Sequence, residues 1–126
     1  MNTLRRTILT TALALGCCGA LAAAGKPKSV IHVITVRWKE GTTPAQIKAA
    51  LDGVETLGKE YPGIKNTWTR AFKVQDPTNT KFSHVIVMEF ESEESLEKYS
   101  GSAAQKKWYG VYLPIRDESF THDVTN

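Results

Sequence analysis

The alternation of apolar and polar residues predicts four β-strands. Residues 30–38 and 82–91 are rich in β-branched and aromatic side chains and are apolar on both faces, which is typical of strands at the centre of a sheet. Residues 64–74 and 118–124 alternate more weakly, and each follows a segment that contains proline. The two stronger segments are therefore predicted to form the middle of the sheet.

Two helical regions lie between these strands. Apolar side chains recur at spacings of three and four residues over 44–61, which predicts one buried helix face. Thr43, followed three residues later by Gln46, is typical of a capping box at a helix start. A second helical pattern covers 92–117 and is interrupted by Ser-Gly-Ser at 100–102. The predicted order is β-α-β-β-α-β, which describes one α+β domain.

This order predicts a ferredoxin-like arrangement, in which a four-stranded antiparallel sheet carries its helices on one face. Because side chains alternate across a strand, the central strands divide their residues between two faces. The face under the helices would hold His32, Ile34, Val36, His84, Ile86 and Met88. The other face would hold Ile31, Val33, Val85 and Val87. An exposed apolar patch of this kind marks an interface, so we predict a symmetric homodimer with its sheets packed face to face.

The first 24 residues have the composition of a signal peptide. The basic pair Arg5–Arg6 precedes an apolar stretch over 8–21, and three alanines follow as a cleavage site. The apolar stretch is shorter than the ~20 residues of a membrane span, so no stable membrane span is predicted. We expect an exported protein, periplasmic or secreted, with 25–29 as a short linker. Twin-arginine export and a lipoprotein site at Cys17–Cys18 are the alternatives for this segment.

Removal of the signal peptide changes the charge and the cysteine content. The 126 residues carry a formal net charge of +3, but without Arg5 and Arg6 the remainder has 14 basic against 13 acidic residues. Such a domain lacks the concentrated basic stripe that binds nucleic acid, so no nucleic-acid partner is expected. Cys17 and Cys18 leave with the signal peptide. The mature domain therefore has no disulfide, and roughly 100 residues held by packing alone favour an oligomer.

Three short segments carry a family resemblance in the order in which they occur. They are Ile31–His32–Val33–Ile34 with Trp38, then Tyr61–Pro62–Gly63–Ile64–Lys65, then Phe82–Ser83–His84–Val85 followed by Phe90–Glu91–Ser92. With them, residues 30–126 resemble the stress-response A/B barrel (Dabb) domain family, which implies a small dimeric α+β barrel. Related dimeric barrels include antibiotic-type monooxygenases and haem-degrading enzymes, so the fold alone fixes no activity.

The face under the helices is the candidate ligand site. Its six residues are predicted to line a pocket together with Tyr99 and Trp108 from the second helical region. A mostly apolar pocket with a few polar groups is typical of small-molecule sites. Antiparallel pairing puts His84 beside Val36, which is four residues from His32 on the first strand. His32 and His84 are therefore roughly 13 Å apart and cannot share a metal ion. Each histidine also fits a simpler role, which is to complete the core by bonding a neighbouring backbone or hydroxyl group.

The sequence predicts neither a metal nor a cofactor. His122 lies near the end of the last strand, which pairs with the first and brings it towards His32. Two imidazoles would need a third ligand to hold a metal ion, and no carboxylate fits that position. The mature sequence has no glycine-rich phosphate loop, no Gly-x-Ser-x-Gly motif and no thiol.

The resemblance also bears on catalysis, because some family members are polyketide cyclases that work with a tyrosine and a histidine. Their tyrosine matches Tyr99, but their His-Pro-Ala-His segment aligns with 102–105, where Gln105 takes the place of the catalytic histidine. Glutamine cannot accept and return a proton near neutral pH. His32 and His84 are then the candidate bases, with Tyr99 as a hydrogen-bond donor, and nothing in the sequence selects between them.

Three functions remain open at this stage. The leading hypothesis is an exported homodimer that binds a small apolar or aromatic molecule between sheet and helices without catalysis. The second is a cofactor-free cyclase or isomerase, or a monooxygenase-like enzyme, in the same pocket. The third is a structural dimer with a filled core, retained for stress tolerance. An empty cavity under the helices separates the first two hypotheses from the third.

Overall fold

The computed structural model describes residues 28–70, 78 and 81–126. In chain order the elements are β1 (Val30–Trp38), α1 (Pro44–Glu60), β2 (Ile64–Trp68), β3 (His84–Phe90), α2 (Glu93–Tyr99), α3 (Ala103–Tyr112) and β4 (Arg116–Thr125). The predicted signal peptide and the part of the second predicted strand with Phe72 and Val74 lie outside the described residues. Within the described ranges, no helix combines the length and the apolar character needed to cross a membrane.

The four strands form one antiparallel sheet in the order β2-β3-β1-β4. This confirms the prediction that the first and third strands are central. Val36 lies opposite His84 and His32 lies opposite Met88, as antiparallel pairing of the two predicted strands requires. The register fixes which side chains of β1 and β3 share a face.

The outer strands differ in length from the prediction. β4 begins at Arg116, because Arg116 pairs with Trp38 beyond a register shift next to Arg37. β2 ends at Trp68, and the two residues that follow it are not in the strand. The sheet is therefore longer than predicted along β4 and shorter along β2.

α1 begins and ends where the sequence predicts. Gln46 N donates to Thr43 Oγ1 at 3.3 Å and Thr43 N donates to Gln46 Oε1 at 2.9 Å, which completes the capping box. The helix ends before Tyr61, and at Gly63 a Cβ would lie 1.8 Å from Ser95 Oγ. The close approach of α2 to this turn therefore requires glycine at position 63.

The second helical region is two helices, which corrects the predicted order to β-α-β-β-α-α-β. α2 ends at Tyr99, and Gly101 adopts a left-handed φ of 79°. The Ser102 hydroxyl then caps α3 by accepting from Gln105 N at 3.1 Å. A residue with a Cβ rarely adopts such a φ, so Gly101 forms the corner between the two helices.

The core lies between the helices and one face of the sheet. The buried apolar side chains of the three strands β1, β2 and β3 are Val30, Ile34, Val36, Ile64, Ile86, Met88 and Phe90. The helices contribute Val54, Leu57, Tyr99, Trp108 and Tyr112. Aromatic side chains from α2 and α3 thus provide much of the packing against the sheet.

The opposite face of the sheet carries several apolar side chains that are only partly covered within one chain. Its half-buried residues are Ile31, Val33, Val85 and Val87. Its exposed ones are Trp68, Phe120 and Val124, at 49, 49 and 57 % exposure. Phe82 is in alternation with His84 and Ile86 in the sequence but lies edge-on to Phe120, with 5.2 Å between ring centroids. Phe82 precedes β3 and does not follow its alternation.

Candidate functional site

A cleft opens between the inner face of β1 and β4 and the helices α2 and α3. Its volume is about 440 Å³, within the ~300–1,000 Å³ of small-molecule sites. The apolar and aromatic lining consists of Ile34, Leu96, Tyr99, Tyr109 and Tyr112. The polar lining consists of His32, Glu97, Ser100, Gln105, Arg116, Ser119, Thr121 and Asp123. The cleft therefore combines aromatic walls with several hydrogen-bonding groups.

His32 and Asp123 form a hydrogen-bonded pair at one end of the cleft. They lie opposite each other in the β1–β4 register, with 2.5 Å between His32 Nδ1 and Asp123 Oδ1. The carboxylate accepts a hydrogen bond from Nδ1–H of the neutral imidazole, so Nε2 is the nitrogen that can accept a proton from a ligand. An aspartate that orients a histidine in this way is an arrangement suited to general acid–base chemistry.

Tyr99 is buried next to this pair. Its ring centroid lies 6.5 Å from that of His32 and 5.1 Å from that of Phe90. Within the described part of the chain its hydroxyl has no hydrogen-bond partner. Burial raises the pKa of Tyr99, and the nearby Gln105 side chain offsets this only in part. Tyr99 therefore keeps its proton and can donate a hydrogen bond to a ligand, but it is not a base.

Gln105 holds the corner between α2 and α3. Its Oε1 accepts from Gly101 N at 2.6 Å, and its Nε2 donates to Tyr109 Oη at 3.3 Å. The side chain is buried, at 9 % exposure. The residue at the position of the cyclase histidine thus makes structural hydrogen bonds here and supplies no base.

Tyr112 and Arg116 form the other end of the cleft. The buried Tyr112 hydroxyl and Arg116 Nε have no hydrogen-bond partner among the described residues. Arg116 Cζ lies 5.7 Å from the ring centroid of Tyr112, and an outer guanidinium nitrogen lies 3.4 Å from Ser119 Oγ. Burial raises the pKa of Tyr112, although Ser119 and Arg116 counteract it in part. Both side chains are therefore hydrogen-bond donors at neutral pH.

The residues predicted to line one pocket divide between this cleft and other places. Three of them line the cleft: His32, Ile34 and Tyr99. Three others are fully buried in the core: Val36, Ile86 and Met88. Trp108 faces α1, where its indole nitrogen donates to the backbone oxygen of Ala50 at 3.0 Å. Helix packing accounts for Trp108 without a ligand.

His84, the eighth predicted residue, lies outside the cleft lining. Trp38 Nε1 donates to His84 Nδ1 at 2.8 Å, and Ser83 Oγ lies 2.9 Å from the same nitrogen. Burial lowers the pKa of His84, which favours the neutral imidazole that accepts this bond. These contacts fit the simpler role considered for His84, in which it completes the core.

His122 faces away from the cleft. It pairs with Val33, and residues opposite each other on antiparallel strands share a face, so His122 lies on the uncovered face of the sheet. His122 was expected to approach His32, but the residue that lies opposite His32 is its neighbour Asp123. Within residues 28–70, 78 and 81–126, no group of three His, Cys, Asp or Glu side chains is placed to hold a metal ion.

The β4 side of the cleft was not predicted from the sequence. Ser119, Thr121 and Asp123 alternate along β4 and face the cleft. Small polar residues at every second position of the last strand were the available signal, because a core strand would carry apolar side chains there. The sequence pattern puts Arg116 at the end of the second helical region, so nothing in it indicates that Arg116 reaches the same cleft.

The family model of the stress responsive A/B barrel domain (Dabb) matches residues 30–126, which confirms the resemblance. No curated protein is similar enough to count as a match.

Solved structures share the fold. Hydroxynitrile lyase from Passiflora edulis is 16 % identical, with 79 % of this chain and 94 % of the lyase covered and a TM-score of 0.69. A dimeric ferredoxin-like protein of unknown function from Thermobifida fusca is 16 % identical, with 78 and 91 % covered and a TM-score of 0.66. A Dabb family protein with a ferredoxin-like fold from Mesorhizobium loti is 12 % identical, with 78 and 96 % covered and a TM-score of 0.62. At these identities the likeness establishes the ferredoxin-like fold and no activity.

Proposed function

We propose that this chain, which belongs to the stress responsive A/B barrel domain family, binds a small apolar or aromatic molecule in the cleft between its sheet and helices α2 and α3. The observation that carries the proposal is an open cleft of about 440 Å³ with aromatic walls and polar groups at both ends. An open cleft favours ligand binding over a purely structural dimer with a filled core.

The aromatic wall supports an aromatic ligand in particular. Tyr99, Tyr109 and Tyr112 come from two consecutive helices and line the same cleft. Their rings offer faces and edges on which another ring packs with additional stabilisation of ~0.5–1.5 kcal/mol per pair. An aromatic molecule would therefore gain more here than an aliphatic one of equal size.

A thermal-shift screen of the mature protein against small aromatic and polyketide-like compounds tests the proposal, because a ligand that binds only the native state raises Tm. Thr121→Trp fills part of the cleft from the β4 side and should abolish the increase in Tm that any bound compound causes. Val111→Trp is the matched control, because it adds the same ring at an exposed position of the groove between α1 and α3. Equal shifts in both variants would place the ligand outside the cleft and contradict the proposal.

The homodimer is part of the same proposal. The uncovered sheet face exposes Trp68, Phe120 and Val124, and the similar structure from Thermobifida fusca is a dimeric ferredoxin-like protein. Two such faces packed together would remove from water the residues that one chain leaves half-buried. Sedimentation of the mature protein at low micromolar concentration tests this, and a stable monomer would contradict it.

A second candidate function is a cofactor-free enzyme in the same cleft. The His32–Asp123 pair favours it, because a carboxylate-oriented imidazole next to the Tyr99 donor can move a proton on a bound substrate. The structure from Passiflora edulis, which has a similar fold, is named a hydroxynitrile lyase and therefore an enzyme. His32→Ala separates the two functions, since a binder keeps most of its affinity for apolar ligands whereas an enzyme loses turnover by about 10²–10⁴-fold.

Export completes the proposal and rests on the sequence of the first 24 residues. Expression of the full chain in a bacterial host, followed by cell fractionation and mass spectrometry, tests it. The expected product is an extracytoplasmic protein that begins at Gly25. A cytoplasmic product that retains residues 1–24 would contradict export.

A further inference from the structure

The end of the cleft formed by Tyr112 and Arg116 has hydrogen-bond donors without acceptors. Tyr112 is only 2 % exposed, and both its hydroxyl oxygen and Arg116 Nε are buried. Neither atom has a hydrogen-bond partner in the described part of the chain. The Tyr99 hydroxyl is a third buried donor without a partner in the same cleft. Buried donors of this kind are rare in folded proteins, because leaving them unpaired is unfavourable.

The carboxylates near Arg116 are engaged elsewhere or lie at the rim. Asp117 and Glu118 follow Arg116 in sequence, but both bond to Arg37, at 2.7 and 2.8 Å. Asp123 is paired with His32 at the far end of the cleft. Glu97, the other acidic residue of the lining, is exposed on α2 and within 4 Å of no arginine among the described residues. The guanidinium of Arg116 therefore faces the cleft without a countercharge.

We propose that the cleft selects small aromatic anions, with a carboxylate or phenolate oxygen bound by the guanidinium of Arg116 next to Tyr112. This inference rests on the proposed function, since it names the class of molecule that the cleft takes. An anionic oxygen is the complement of a guanidinium that has no countercharge, and charge-assisted hydrogen bonds are about twice as strong as neutral ones. The aromatic body would then extend along the tyrosine wall towards His32 and Asp123.

The geometry also gives the anion an orientation. Ser119 and Asp123 are four residues apart on β4, which is roughly 13 Å along a strand. A carboxylate bound at Arg116 is thereby kept away from the Asp123 carboxylate, which would repel it. An anion placed the other way round would lie beside Asp123 and would lose the charged donor.

The experiment uses a matched pair of probes, 1-naphthoate and its neutral isostere 1-naphthamide, titrated into the mature protein by calorimetry. The expected result is that naphthoate binds at least about tenfold more tightly than naphthamide at low salt. Arg116→Gln should abolish this preference, because it lowers the affinity for naphthoate more than the affinity for naphthamide. Arg37→Gln is the control for net charge, because Arg37 lies on the opposite face of the sheet in ion pairs with Asp117 and Glu118.

The outcomes separate this inference from the proposed function. Equal binding of the two probes, or a naphthoate preference that survives in Arg116→Gln, would overturn the inference and leave ligand binding in the cleft intact. Binding of neither probe up to millimolar concentration would overturn both. If Arg116→Gln does not fold, the comparison of the two probes on the unmutated protein decides the inference by itself.

Discussion

Trp38 donates its indole proton to Nδ1 of His84 across 2.8 Å, and this bond places the single proton of the neutral imidazole on Nε2. A second proton on the ring would occupy Nδ1 and break the bond. The folded protein therefore resists protonation of His84, in agreement with the effect of burial, which lowers its pKa below 6.5.

This contact predicts a pH dependence of stability. Below pH 6.5, His84 binds a proton more readily in the unfolded chain than in the folded chain, because its pKa is lower in the folded chain. The free energy of unfolding therefore falls as the pH decreases from about 6.5 towards the folded-state pKa. The slope stays well below the one-proton limit of ~1.4 kcal/mol per pH unit, because His84 is only partly buried. Above pH 6.5 this residue contributes no slope.

Urea unfolding between pH 5 and 8 measures the effect. His84→Gln keeps an acceptor for the Trp38 indole and removes the titration, so its stability should change less than that of the original protein between pH 5 and 6.5. Lys106→Gln is the control, because it introduces the same side chain at an exposed position of α3 and should leave the slope in place. Parallel pH profiles of the original protein and His84→Gln would refute the assignment.

Gln105 provides a second prediction, because its side chain accepts from Gly101 N at 2.6 Å. Gln105→Ala should lower the free energy of unfolding by about 0.5–1.5 kcal/mol, the usual net contribution of an intramolecular hydrogen bond, because this bond is only partly buried. Lys106→Ala is the control, since Lys106 is exposed in the same helix and gains the same helix propensity. Equal stability of the two variants would show that Gln105 does not hold the corner between α2 and α3.

Elements with strong local signals could be predicted from the sequence. The two-sided apolar pattern of β1 and β3 and the Thr43–Gln46 capping box gave the sheet centre, its register and the start of α1. The Ser-Gly-Ser segment at 100–102 interrupts the helical pattern in the sequence. The left-handed φ of Gly101, which makes this segment a corner between two separate helices, is seen only in the structure. Local signals therefore carry most of the fold.

The candidate site was harder to predict because it depends on contacts distant in sequence. Asp123 and His122 are neighbours in the sequence, and successive side chains of a strand point to opposite faces of the sheet. An error of one residue in the expected pairing therefore puts the wrong side chain beside His32. Arg116 reaches the cleft only because β4 begins two residues earlier than its alternation suggests. The donors at that end of the cleft carry no local pattern that distinguishes them from a solvated turn.

A third prediction concerns the turn after α1. A Cβ on Gly63 would lie 1.8 Å from Ser95 Oγ and 2.7 Å from Tyr61 Cε1. Gly63→Ala should therefore lower the free energy of unfolding by about 1–3 kcal/mol, as overpacking of a close contact does. Ser95→Ala in the same chain removes the nearest atom and should recover part of the loss. A double-mutant cycle by urea unfolding measures this coupling, and additive effects would contradict the steric explanation.

The last prediction tests the uncovered sheet face as a dimer interface. Val33 lies at the middle of β1, between Val87 on β3 and His122 on β4, so its side chain is near the centre of that face. In a symmetric face-to-face dimer, Val33→Lys would bury one unpaired ammonium group from each subunit at a cost on the order of 3 kcal/mol each, which raises the dimer dissociation constant about 10⁴-fold. Ala45→Lys adds the same charge at an exposed position of α1 and should leave the dimer unchanged. Analytical ultracentrifugation over a concentration series measures both variants, and a Val33→Lys protein with the dissociation constant of Ala45→Lys would exclude this face as the interface.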